Sequence, residues 1–147
     1  MKKHTHYGSY GLIIEDNNIV LINKVTGPYD GKLDLPGGSI EFKESPKEAL
    51  IRELKEEIGI DVIEYKLIDA DSITYEWTYK NEQYDWQHIG IFYKITKYKG
   101  TIKDNITITK QNDDSRGGKF YPIDKLKKEE LSALAILILE NLGYKLK

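Results

Sequence analysis

Three glutamates, Glu53, Glu56 and Glu57, stand at i, i+3 and i+4 in the run ALIRELKEEIGI. At about 100° per residue they share one arc of a helix, with only the small Ala49 among them. Like charges so placed destabilise a helix by roughly 0.2–0.5 kcal/mol per pair unless a cation offsets them. Carboxylates joined by a nearby backbone carbonyl form the all-oxygen donor set that Mg²⁺ or Mn²⁺ prefers. A solvated acidic face is the other reading of this spacing.

The flanking residues are those needed to hold such a helix. Ser45 before Pro46, with Glu48 three residues on, is a capping box with proline at the first helical position, and Gly59 is the expected stop. Leu50, Leu54, Ile58 and Ile51 fall on a second arc, expected to pack on a sheet, while Lys55, Glu48 and Arg52 form a polar rim. Upstream, Leu33 to Leu35 is a short strand candidate that delivers Pro36-Gly37-Gly38, where the backbone turns sharply and can approach a ligand closely.

Gly38, Glu44, Arg52, Glu53, Leu54, Glu56, Glu57, Gly59 and Ile60 match every fixed position of the pattern G-x5-E-x7-R-E-U-x-E-E-x-G-U, where U is aliphatic. A chance match at a given start is on the order of 10⁻⁹. The chain resembles Nudix hydrolases. That resemblance implies an α/β fold, an α/β/α sandwich with a mixed β-sheet between helices, in one domain over residues 1–147. It implies hydrolysis of a nucleoside diphosphate linked to another group, with Mg²⁺ or Mn²⁺ as cofactor and a small-molecule nucleotide as substrate. Glu53, Glu56 and Glu57 would be metal ligands, with the carbonyl of Gly37 or Gly38 beside them. Glu44 would support the metal's waters, and Arg52 would orient a box glutamate. Family members differ in the general base; Glu53 is favoured, with Glu57 and a loop acid, Asp113 or Asp114, as alternatives.

The substrate is less constrained. No SQPWPFPxS or LLTxR run, as in NADH and coenzyme A hydrolases, is present, and Thr74, Tyr75 and Glu76 stand where ADP-ribose hydrolases often carry proline. A nucleoside triphosphate, a dinucleoside polyphosphate and ADP-ribose or a nucleotide sugar stay open, as does a non-catalytic nucleotide-binding module. Isopentenyl diphosphate isomerase shares the fold but uses cysteine, which this chain lacks.

With 22 basic and 24 acidic residues, net charge −2, the sequence carries no electrostatic footprint for nucleic acid or an anionic membrane. The absence of Cys removes disulfides and thiolate chemistry. The two N-terminal lysines have no apolar run behind them, unlike a signal peptide, and Leu131 to Leu142 is too short to cross a bilayer, so the expectation is a soluble cytoplasmic protein.

Elsewhere, Tyr7 to Glu15 and Ile19 to Lys24 read as strands joined at Asp16-Asn17-Asn18, and Lys24 and Lys32 are candidate phosphate contacts from that side, ordinary surface lysines being the other reading. Val62 to Thr78 and Tyr84 to Tyr98 read as a hairpin turning at Asn81-Glu82, which sets Tyr79, Trp77 and Tyr75 opposite Tyr84, Trp86 and His88. This aromatic ladder suits core packing, a homodimer interface or base stacking, with Tyr75, Trp77 and Trp86 as candidate substrate contacts. His88 is read as packing, and His4 and His6 as lacking partners. A weak edge strand is expected over 101–110. Arg116, one of two arginines, is placed to hold a phosphate or pair with Asp113 or Asp114. Phe120 to Ile123 reads as a strand, Asp124 as a helix start, and Leu131 to Leu142 as a core helix.

Overall fold

The computed structural model describes residues 1–25, 27–103 and 115–147, and for Ser115 and Arg116 the backbone only. The chain opens on β1 (Lys2–Leu12), passes through Ile13 into β2 (Ile14–Glu15) and returns as β3 (Asn18–Lys24). Asp16 and Asn17 turn this hairpin with φ of 50° and 62°, the left-handed pair that a two-residue hairpin loop requires and that Asp and Asn tolerate. Two short strands, β4 (Leu33–Asp34) and β5 (Gly37–Ser39), precede α1 (Pro46–Ile58). A long hairpin follows, β6 (Asp61–Tyr79) with β7 (Glu82–Lys99), then β8 (Ser115–Pro122) and α2 (Ala133–Asn141).

The strands form two sheets, one ordered β5-β1-β7-β6, the other β2-β3-β4 with β8 on β3. The β1–β7 pair is parallel, from Lys2 opposite Tyr84 to Leu12 opposite Lys94, while β5 and β6 pair antiparallel, so the first sheet is mixed; the pairings of β3 with β2, β4 and β8 are all antiparallel. This pairing explains why β1 starts at Lys2 rather than Tyr7. The polar segment Lys2–His6 has modest strand propensity, and β7 supplies the ladder it extends.

Alternation along the strands sorts side chains to two helices. Leu12, Ile19, Leu21 and Phe92 point into one core with Leu134, Ala135, Ile138 and Leu139 of α2. Their neighbours Ile13, Val20, Ile22 and Tyr93 point into the other with Leu50, Leu54 and Ile58 of α1. Strands apolar on both faces are what a sandwich between helices needs, and the α/β/α expectation holds.

Helix α1 starts and stops as expected. Ser45 Oγ accepts from the Glu48 N–H, the Glu48 carboxylate accepts from the Ser45 N–H, and Gly59 closes the helix in the left-handed region at φ 76°. Its packed arc is rotated from the expected one. Ile51 is exposed, whereas Ala49 and Glu57 are buried, because β5 backs onto the side carrying Glu57.

Three other expectations are corrected. The β6–β7 turn is Lys80-Asn81, with φ of 50° and 63°, so Tyr79 faces Glu82, Trp77 faces Tyr84 and Tyr75 faces Trp86. The slip is two residues, which preserves the shared face, and the tryptophans still meet diagonally at 5.3 Å between centroids. Asp124 lies in a single 3₁₀ turn, Ile123–Lys125, because Leu126 is already extended. Helix α2 is shorter than 131–142: Ser132 caps it, Leu142 is exposed, and Leu139 takes the core position. Of the edge strand expected over 101–110, residues 101–103 carry no strand and the rest lie outside the described residues.

Candidate active site

The acidic arc of α1 faces β5. The Gly37 N–H donates to Glu57 Oε1 at 2.6 Å, which buries that carboxylate and ties the helix to the strand. At Gly38 a side chain is impossible without rearrangement, since a Cβ would lie 2.7–2.8 Å from the carboxylate atoms of Glu53. Glycine here is therefore what lets a carboxylate lie against the strand backbone.

Arg52 gathers the remaining acids. Its Nε and Nη2 fork onto Glu44 at 2.7 and 2.9 Å, the bidentate geometry that a guanidinium favours. Its Nη1 donates to Glu53 at 2.9 Å and to Glu56 at 3.3 Å, and Nη2 also reaches the Ser39 carbonyl at 3.0 Å. The Arg52 bonds hold the Glu44 carboxyl below the usual carboxylate range, and Glu44 and Glu53 raise the guanidinium's own pKa. Glu44 and Glu53 are thus oriented by one cation, and that cation is anchored to β5.

Among the described residues no three His, Asp or Glu side chains converge as a ready-made ligand cage. Glu53 and Glu56 turn toward Arg52, and Glu57 toward Gly37, so the three carboxylates do not meet at one point. The donor chemistry still fits a hard divalent cation: three carboxylates on one helix, backbone oxygens of a Gly-Gly strand, and the space kept open at Gly38. Asp113 and Asp114 lie outside the described residues. Arg116 is on β8 by its backbone, and its side chain is outside them too.

Beside this cluster lies a pocket of about 270 Å³ whose lining includes Lys24, Asp34, Ser39, Tyr29, Tyr75 and Trp86. Ser39 belongs to both sites, lining the pocket while its carbonyl holds Arg52. Of the predicted substrate contacts, Tyr75 and Trp86 line the pocket. Trp77 does not, packing instead on Tyr79, Tyr84 and Trp86. Lys24 reaches the pocket, but the Lys32 ammonium is engaged with the Glu129 carbonyl at 2.5 Å.

The histidines expected to lack partners have them. His4 packs tilted against Trp86 at 4.1 Å between ring centroids, and His6 stacks on His88 at 4.5 Å while bonding Ser39 Oγ at 2.6 Å. Sequence reasoning missed this group, together with Tyr10, Tyr29 and Asp34. A visible signal was there at Asp34, a charged residue between Leu33 and Leu35 in a run read as a short strand.

His88 is buried, with Nε2 bonded to the Tyr10 hydroxyl at 2.6 Å and Nδ1 to the Tyr29 hydroxyl at 2.9 Å. A neutral imidazole donates at one nitrogen and accepts at the other, so two hydroxyls satisfy it fully. Burial, reinforced by the nearby His6 and Lys24, lowers its pKa from 6.5 to about 3. Burial also raises the Tyr29 hydroxyl well above the usual range and pushes Tyr75 up to about 12. Between these two His88 values the unfolded chain takes up a proton that the folded chain refuses. Stability from this group is complete above pH 6.5 and is lost as pH falls toward about 3. His88→Gln is expected to flatten the rise of unfolding free energy with pH, which for one such group reaches about 1.4 kcal/mol per pH unit. Urea unfolding at several pH values in this window reads the slope, and an unchanged slope in the variant counts against a buried neutral imidazole.

A model of the NUDIX domain matches residues 5–142, and the chain belongs to that family as a Nudix hydrolase. It is 30% identical over 105 residues to an 8-oxo-dGTP diphosphatase of Proteus vulgaris, spanning 70% of this chain and 86% of that protein. Over 50 residues it is 46% identical to an ADP-ribose pyrophosphatase of Methanocaldococcus jannaschii, spanning only 34% of this chain and 30% of that one. Among solved structures, a MutT NUDIX hydrolase from Burkholderia pseudomallei superposes with a TM-score of 0.72 at 21% identity, covering 95% of this chain and 99% of that one, which shows the fold.

Proposed function

We propose that the chain hydrolyses a pyrophosphate bond in a nucleoside triphosphate or related nucleotide, with Mg²⁺ or Mn²⁺ as cofactor. The observation that carries this reading is the placement of the acidic arc of α1 against the Gly37-Gly38 strand, next to a pocket walled by aromatic rings. Glu53, Glu56, Glu57 and a carbonyl of Gly37 or Gly38 would hold the ion, with Asp113 or Asp114 as a further ligand. When bound, the ion offsets pyrophosphate charge and makes a water more acidic.

The protein's own groups account for the rest. Glu53 would take a proton from the attacking water at its carboxylate, and Arg52 would orient it through the 2.9 Å bond. Glu44 acts through Arg52 by fixing the guanidinium. Tyr75 and Trp86 stack on the base, and Arg116 contacts a phosphate. The reading includes a free, small-molecule substrate and a cytoplasmic enzyme of one domain.

A named relative acts on 8-oxo-dGTP and another on ADP-ribose, so the test is a panel. The purified chain with Mg²⁺ or Mn²⁺ is assayed against triphosphates, oxidised triphosphates, ADP-ribose, nucleotide sugars and dinucleoside polyphosphates. Turnover of a triphosphate at least about tenfold faster than of the dinucleotides is expected, since the pocket, at about 270 Å³, lies just below the roughly 300–1,000 Å³ usual for ligand sites. Absence of turnover on every member of the panel refutes the reading.

A further inference from the structure

We propose that the outer edge of β6 is a self-association surface: residues 69–79 pair antiparallel with the same residues of a second copy, about a two-fold at Thr74, joining two sheets into one. In the sheet ordered β5-β1-β7-β6, β6 is the terminal strand, and over 69–79 its backbone bonds among the described residues run to β7 alone. A row of unpaired N–H and C=O groups is a template for another strand, and proteins usually blunt it with shortness, lysine, proline or a bulge. The terminal strands β2, β4 and β5 are two or three residues long. β6 is different. Its bulges all fall between Val62 and Asp69, and from there it runs in unbroken register to Tyr79, with neither lysine nor proline on the way.

This edge is complementary to itself. Side chains alternate between faces, so a second copy continues the sheet only in registers that set odd positions opposite odd and even opposite even. Of these, the register centred on Thr74 pairs the whole segment. It sets Asp69 opposite Tyr79, Asp71 opposite Trp77 and Glu76 opposite Ser72 of the second copy, so every carboxylate meets a side chain with an O–H or N–H to donate. Asn141 Nδ2 already spans Asp69 and Asp71 at 3.1 and 2.8 Å, and each of these carboxylates also accepts the next residue's amide, which leaves about half of its lone-pair sites for a further donor. Ile73 lies opposite Tyr75, and Thr74 opposite its own copy, the β-branched–aromatic and Thr–Thr pairs that stabilise antiparallel strands. A register centred on Glu76 would instead set two carboxylates against each other. Ala70, Ser72, Thr74, Glu76 and Thr78 are exposed on one face; on the other, Tyr75 lines the pocket, so association brings Ile73 of the second copy beside a wall of the site.

Sedimentation velocity of the full chain over a range of concentrations is the test. The wild type is expected to pass from monomer to dimer as concentration rises to about 100 µM, and a monomer throughout overturns the proposal. Ser72 reads the register, because it is exposed, lies outside the pocket lining and meets Glu76 of the second copy twice over by symmetry. Ser72→Lys is expected to tighten the dimer about threefold or more, and Ser72→Glu to weaken it by as much, since like charges then face each other. Combining Ser72→Glu with Glu76→Lys exchanges the charges and restores association, which a folding defect in Ser72→Glu would not allow. A lysine that merely blocks an edge would weaken the dimer, so weakening by both Ser72 variants overturns the proposed pairing. A dimer indifferent to all three variants uses another surface and overturns it as well.

Discussion

Glu57→Gln is expected to lower turnover by about 10²–10⁴-fold while leaving the protein folded. The substitution conserves shape, and the amide oxygen can still accept the Gly37 N–H that the carboxylate now accepts at 2.6 Å, so the tie between α1 and β5 survives. What disappears is one negative charge on the face proposed to hold the metal. Glu53→Gln is expected to act similarly: its amide oxygen can still accept the Arg52 N–H now held at 2.9 Å, but without the charge that strengthens that bond. Steady-state rates with Mg²⁺ on the best substrate of the panel, thermal unfolding of each variant and a Mn²⁺ titration separate the two effects. Weakened Mn²⁺ binding with an unchanged unfolding temperature is the predicted pattern. Wild-type rates in both variants would sink the assignment of these carboxylates.

Gly37→Ala is expected to cost about 2–4 kcal/mol of stability and to remove most activity. Gly37 has φ of 140°, and a Cβ there would meet the Ser9 carbonyl oxygen at 2.1 Å and the Tyr10 Cα at 2.7 Å. Both are backbone atoms of β1, to which β5 is paired through Ser9 opposite Gly38 and Tyr10 opposite Gly37, so neither can move without opening the ladder. Opening it also withdraws the N–H that positions Glu57. Gly31→Ala is the matched control. It too has positive φ, 82°, but nothing lies within 4 Å, so only the backbone penalty of about 1 kcal/mol applies. Urea midpoints of the two variants give the comparison, and equal shifts would show that the contact with β1 is not the source of the cost.

The register of the long hairpin shows why part of the site was legible and part was not. The alternation of Tyr75, Trp77 and Tyr79 was enough to put them on one face, because a period of two survives a slip of two residues. Choosing Lys80-Asn81 as the turn was a matter of left-handed backbone, which Asn adopts readily and Lys seldom does, so the apparent preference for Asn81-Glu82 was misleading. The slip decides which aromatic rings reach the pocket. Tyr75 and Trp86 do, while Trp77 stays with its neighbours along the hairpin.

What the residues determined unaided was local. Helix α1, its capping box, its glycine stop and the arc shared by Glu53, Glu56 and Glu57 follow from side-chain chemistry within one segment, where spacing alone sets geometry. The family follows from the same segment. Tertiary structure decided everything that depends on segments distant in the chain. Glu57 is buried because Gly37, twenty residues away, supplies its N–H, and Asp34 is oriented because Ser132, 98 residues away, caps α2 beside it. The His88 pKa is lowered because the fold buries it, bonded to Tyr10 and Tyr29, with His6 and Lys24 nearby. A carboxylate on a helix can be read from its own neighbours. Its burial, its partners and the ring it faces depend on which strands pair, and pairing is a property of the whole fold.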